Sequence, residues 1–154
     1  MASLMNDGVI APGPGPTLAQ FAKLQNPITL KENDMAHYVD GFVLPVPKAK
    51  LDDYRQIAET AGKVWKEHGA LEYWECVADD VKPGKLTSFP QSVQLKDDEV
   101  VVFSWIIYNS REERDTINAK VMEDPRLKDM MSPDKMPFDG ARMFFGGFKS
   151  MVEM

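Results

Sequence analysis

The chain has 154 residues, 44% of them hydrophobic and 27% charged, with 24 acidic against 18 basic side chains and a formal net charge of −6. This is the size and balance of one globular domain with its own core, and it excludes wholesale disorder, a collagen-like fibre and a coiled coil. No run approaches the roughly 18 apolar residues of a membrane-spanning helix, and the acidic balance argues against a surface built to neutralise nucleic-acid phosphates.

Residues 1–34 read as a flexible N-terminal extension or leader, and residues 35–154 as the folded domain. Gly8 to Pro16 alternates glycine and proline too densely for any periodic element. It is no secretory signal, since no basic residue precedes Lys23 and no apolar core of about 7 to 15 residues follows the start. Leu18, Phe21, Ala22 and Leu24 offer at most an amphipathic turn or two before Pro27.

Beyond Met35 the pattern is regular. His37 to Leu44 is rich in β-formers and predicts a strand that Pro45 and Pro47 should end. Leu51, Tyr54, Ile57, Ala58, Ala61, Val64 and Trp65 recur at the spacing of one helical face over Lys48–His68, with Gly69 as the C-terminal stop. Leu71–Ala78 predicts a second strand. Val100–Tyr108, apolar at nearly every position, predicts the strongest one. Ser110 and Glu113 form a capping box for a second helix to about Glu123, and Asp124-Pro125 opens a short extra turn. After a loop, Ala141–Val152 predicts the final strand.

The order β-α-β-β-α-β is that of a ferredoxin-like α+β fold, a four-stranded antiparallel sheet with two helices on one face. Strand three carries Val102, Ile106 and Tyr108 on one side and Val101, Phe103, Trp105 and Ile107 on the other, so both faces require cover. A symmetric homodimer with two sheets facing each other supplies it; a loop over residues 79–99 is the alternative.

The polar residues expected within the four strands are Asp40, Glu75, Ser104 and Arg142, one from each. A buried carboxylate needs Arg142 or hydrogen-bond donors nearby, and such a pair is either an acid–base or anion-holding device or an ion pair bracing the sheet. Trp74, Trp105, Tyr73 and Tyr108 either stack a flat ligand or pack the core. His68, in the last turn of its helix, is either a general base or a partner of the helix carbonyls. Phe138 lies in the Met136–Arg142 loop, whose proline, phenylalanine and glycine impose a definite shape, as a lid or as a plug. Cys76, the single cysteine, forbids an internal disulfide, fits a reducing cytoplasm and reads as a small buried hydrophobe. His37 and His68 have no neighbouring ligand cluster, so neither a metal nor a cofactor is expected.

From His37 onward the chain resembles the uncharacterised bacterial YbaA-like proteins. The likeness is carried by Tyr38-Val39-Asp40-Gly41-Phe42-Val43, Ala78-Asp79-Asp80-Val81, Val101-Val102-Phe103-Ser104-Trp105-Ile106, Met136-Pro137-Phe138-Asp139-Gly140-Ala141-Arg142-Met143 and Gly146-Gly147-Phe148. Gln91 stands where many members are expected to carry a basic residue. The resemblance implies membership of the dimeric α/β barrel superfamily, in agreement with the element order, and carries no catalytic residues. Relatives in that superfamily oxygenate, isomerise or dehydrate small organic molecules. The expectation is a cytoplasmic homodimer that binds a small organic ligand, with cofactor-independent oxygenase or isomerase activity by analogy. The alternative is a non-catalytic interaction or regulatory dimer. Neither nucleic acid nor membrane is an expected partner.

Overall fold

The structure, a computed structural model, describes residues 36–154, so the proposed N-terminal extension lies outside the described residues. Strands β1 (Tyr38–Pro47), β2 (Glu72–Val77), β3 (Glu99–Tyr108) and β4 (Phe144–Lys149) form one antiparallel sheet in the order β2-β3-β1-β4. The α-helices among the described residues are α1 (Leu51–Glu67), α2 (Phe89–Ser92), α3 (Arg111–Glu123) and α4 (Pro125–Met130), and three short 3-10 turns lie between elements. Element order and strand order together are those of a ferredoxin-like fold.

Helix α1 buries Tyr54, Ala58, Ala61, Gly62, Val64 and Trp65 against the sheet, the stripe expected from the apolar spacing. It ends in a Schellman motif: Gly69 takes φ +120°, its N–H bonds the Lys66 carbonyl at 3.2 Å, and the Ala70 N–H bonds the Trp65 carbonyl at 3.0 Å. Ser110 caps α3 by accepting the Glu113 N–H at 3.1 Å, and Asp124 caps α4 by accepting the Arg126 N–H at 3.0 Å. Phe42, Leu44 and Val46 of β1, with Val102, Ile106 and Tyr108 of β3, form the floor of the main core beneath α1 and α3.

Several boundaries differ from expectation; the first helix starts at Leu51 after a 3-10 turn over Lys48–Lys50, and the final strand ends at Lys149 rather than Val152. Pro45 does not end β1, which runs through it and stops on Pro47. The Lys48 N–H bonds the Asp98 carbonyl on the β3 side, so by strand alternation the prolines' missing N–H groups fall on the opposite side, which β4 leaves unpaired beyond Val43. The final strand starts later than Ala141, because Asp139 accepts the Ala141 N–H at 3.0 Å and winds Gly140–Arg142 into a 3-10 turn.

The sheet's second face is partly covered. Phe89 of α2 meets Phe103 edge-on with ring centroids 5.8 Å apart, and Val93 and Leu95 close over Val43 and Val101. The loop between β2 and β3 therefore shields one end, while Trp74, Phe103, Phe144 and Phe148 remain exposed. Cys76 lies half-buried on this face rather than in the core.

Candidate active site

Strand β2 pairs only with β3, and its register places Tyr73 opposite Ile106 and Glu75 opposite Ser104. Alternation then turns Tyr73, Glu75 and Val77 toward the helices and leaves Glu72, Trp74 and Cys76 on the far face. Above them runs α1. Gly62 brings the helix close enough that a Cβ there would sit 2.8 Å from the Tyr73 ring.

Between α1 and β2 opens a cleft of about 940 Å³ whose walls include Leu51, Tyr54, Ala58, Tyr73, Glu75 and Val77. Within it the Glu75 carboxylate accepts the Tyr54 hydroxyl at Oε2 and the Tyr73 hydroxyl at Oε1, both at 2.7 Å. Ser104, buried on β3, is a third hydrogen-bonding partner. Burial raises the Glu75 pKa above the ordinary carboxylate range, while the bonds from Tyr54, Tyr73 and Ser104 act to lower it. The tyrosines are pushed upward by their own burial and by the Glu75 charge, so they stay protonated and donate. A carboxyl group made easier to protonate, held by neutral donors in a cleft, is equipped to accept and return a proton.

The remaining expected site residues fall into separate settings. Asp40, only 2% exposed, shares the helix-facing side of the sheet with Glu75 but belongs to another polar cluster. Its cation is Arg114 of α3, at 3.5 Å, and Tyr108 and Asn118 stand beside it as polar neighbours that act to lower its pKa. Asn118 Oδ1 also accepts from Trp65 at 3.0 Å and from Tyr108 at 3.2 Å. Burial raises the Asp40 pKa against the lowering effect of Arg114, and its Oδ2 has no hydrogen-bond partner.

Arg142 is not embedded in a strand and pairs with neither Asp40 nor Glu75. It forks onto Glu99, with Nη1 to Oε1 at 2.7 Å and Nη2 to Oε2 at 2.6 Å, and its Nε donates to Asp139 at 2.9 Å. Nη1 also reaches the Gln94 carbonyl at 3.1 Å. The pair holds Glu99 below its ordinary value and ties the two long loops together.

His68 caps no carbonyl with its ring; Nε2 meets Asp124 Oδ2 at 3.1 Å, beside the Arg126–Glu67 pair that joins α1 to α4. Trp74 and Trp105 stack at 5.8 Å on the sheet face away from Glu75 and Ser104. Phe138 packs edge-on against Tyr54 at 5.8 Å, so the Met136–Arg142 loop plugs the core beside the residue that holds Glu75. No cluster of three or more His, Cys, Asp or Glu suited to a metal occurs among the described residues.

Sequence reading picked out Glu75 and Ser104 as polar residues embedded in strands but missed Tyr54 as a polar partner, since its place in the apolar stripe of α1 made it a core residue. It also missed Arg114, Asn118 and Glu99. The signal for Glu99 was present: an acidic residue at the head of the strongest strand needs a cation once buried.

Among the described residues, no helix is long and apolar enough to cross a membrane. In solved structures, the chain is similar to a NIPSNAP family protein of unknown function from Agrobacterium tumefaciens, with a TM-score of 0.45 and 14% identity over 74% of this chain and 87% of that one. The uncharacterized protein YbaA of Escherichia coli K12 is 51% identical over 116 residues, 75% of this chain and 97% of the relative, and the YbaA of Shigella flexneri matches to the same extent. The profile of the family described as "Protein of unknown function (DUF1428)" matches residues 37–140, and the chain belongs to that family.

Proposed function

We propose that this chain is a homodimeric small-molecule-binding protein whose α1–β2 cleft takes an organic ligand and moves a proton through Glu75. The observation that carries this reading is the Glu75 carboxyl group, 2.7 Å from both the Tyr54 and Tyr73 hydroxyls within a cleft of about 940 Å³. That volume lies in the range that encloses a drug-sized molecule, and its mixture of apolar walls with a few convergent polar groups suits an organic ligand. Proton transfer at such a group is the chemistry of a cofactor-independent isomerase, or of the deprotonation step of a cofactor-independent oxygenase. Ser104 and the two tyrosines position the carboxyl; Phe138 supports Tyr54 from behind.

The homodimer is supported by the aromatic side chains left on the sheet's second face, an apolar patch uncommon on a soluble monomer. The same patch favours a second reading, a dimeric interaction protein without catalysis. Native mass spectrometry of the wild type and Glu75→Gln separates them. The expected result is a dimer that retains or takes up a small organic molecule, with that mass lost in a still-dimeric Glu75→Gln. A dimer that takes up no molecule from a metabolite panel in either form supports the interaction protein, and a monomer overturns the assembly.

A further inference from the structure

We infer that the ligand of the α1–β2 cleft is a small organic cation, a protonated amine on an apolar group, held by the Glu75 carboxylate and the phenol oxygens of Tyr54 and Tyr73. This rests on the reading of the cleft as a binding site and adds the chemical class of what it binds.

The direction of the hydrogen bonds carries the argument. A phenol has one proton, and Tyr54 and Tyr73 each direct theirs at Glu75. What the two hydroxyls have left is lone pairs, and an ionised carboxylate offers only lone pairs as well. This part of the cleft is therefore an array of acceptors. A ligand carboxylate or phosphate would bring further acceptors and a like charge, leaving buried polar atoms unpaired at a cost of several-fold to many-fold in affinity. An ammonium group brings three donors, no acceptor and the opposite charge. Its positive charge also favours ionised Glu75, which burial otherwise discourages.

The surrounding walls fit the rest of such a molecule. Leu51, Ala58 and Val77 line the cleft with apolar surface for its substituent. The rim does not oppose this. Arg55, Lys63 and Lys66 share it with Asp52, Glu59 and Glu72, which leaves no net sign, and the Lys66 ammonium is engaged by the Leu71 carbonyl at 2.6 Å. At longer range the chain's net charge of −6 attracts cations.

The test uses three probes of one shape and different charge: benzylamine, benzyl alcohol and benzoate, titrated at pH 7 into the full chain and into Glu75→Gln with binding followed by calorimetry and NMR. The melting temperature of each protein is recorded to show that it is folded. Benzylamine is expected to bind about tenfold or more tighter than the alcohol or the acid, and to lose about that factor in Glu75→Gln. Tyr54→Phe, which keeps the ring and removes one acceptor, should show an intermediate loss. Tighter binding of benzoate or benzyl alcohol that still depends on Glu75 would overturn the cationic class while leaving the cleft as a site. Benzylamine binding that is indifferent to Glu75→Gln and Tyr54→Phe would also overturn the inference, by placing the cation elsewhere. Failure of all three probes to bind the folded wild type at millimolar concentration would overturn both the inference and the cleft reading.

Discussion

A carboxyl group taken out of water must find donors or take up a proton, and Glu75 is drawn both ways. Burial raises its pKa above the ordinary 4.5 while three hydroxyl partners pull it down. Because the folded-state value is the higher one, stability contributed by neutral Glu75 is fully present below about pH 4.5 and is lost as pH rises through the raised value. Asp40 acts with the same sign. Calorimetric melting temperatures measured across this range should therefore fall less steeply with rising pH in Glu75→Gln than in the wild type, whereas parallel curves would contradict the raised value. Gly62 controls the same site sterically, since a Cβ there would stand 2.8 Å from the Tyr73 ring. Gly62→Ala should cost about 1 to 3 kcal/mol in urea unfolding despite alanine's better helix propensity, because the ring must leave its place beside α1. The identity of Glu75 and Ser104 as embedded polar residues was legible in the sequence. Their tyrosine partners were not, because Tyr54 joins Glu75 only through the packing of α1 on β2.

Among the elements, the loops depend most on single contacts. Arg142 binds Glu99, Asp139 and the Gln94 carbonyl, so one side chain fastens the β2–β3 loop to the segment before β4. Arg142→Ala leaves Glu99 without its cation and is expected to lower the urea midpoint, with faster amide exchange over residues 88–98 as the local readout. Arg142→Lys should recover only part of this, since an ammonium cannot reproduce the two-pronged contact. Helix α3 depends on its first turn, where Ser110→Ala removes the acceptor of the Glu113 N–H and should cost about 1 kcal/mol in the same assay. The cap and the α1 stripe are local patterns and appear directly in the sequence. The partner of Arg142 lies 43 positions away, and only the folded loops bring the two together.

For the whole molecule, the unanswered demand for cover on the sheet's second face is the strongest constraint. Helix α2 and its loop bury Val43, Val93 and Val101, yet Phe148 remains 64% exposed and Trp74 52% exposed. If a second subunit supplies the remaining cover, charge placed there must break it. Sedimentation velocity is expected to give a dimer for the wild type and a monomer for the double substitution Phe144→Asp, Phe148→Asp, with the far-ultraviolet circular dichroism of both unchanged. A wild-type monomer would show that the aromatic face serves another purpose.

The sequence by itself determined the element order, the helix stripe and its glycine stop, the caps and the two-faced apolar strand, because each is a periodicity or a short-range backbone preference that neighbouring residues express unaided. Tertiary structure alone decided which polar residues meet. The β2–β3 register set Glu75 beside Ser104, α1 brought Tyr54 to it, and Arg114 and Arg142 chose Asp40 and Glu99 respectively. It also decided where β1 ends, since a proline is tolerated only where no neighbouring strand asks for its N–H. Charge pairing and strand register depend on distances between segments far apart in the chain, and those distances exist only once the core has closed.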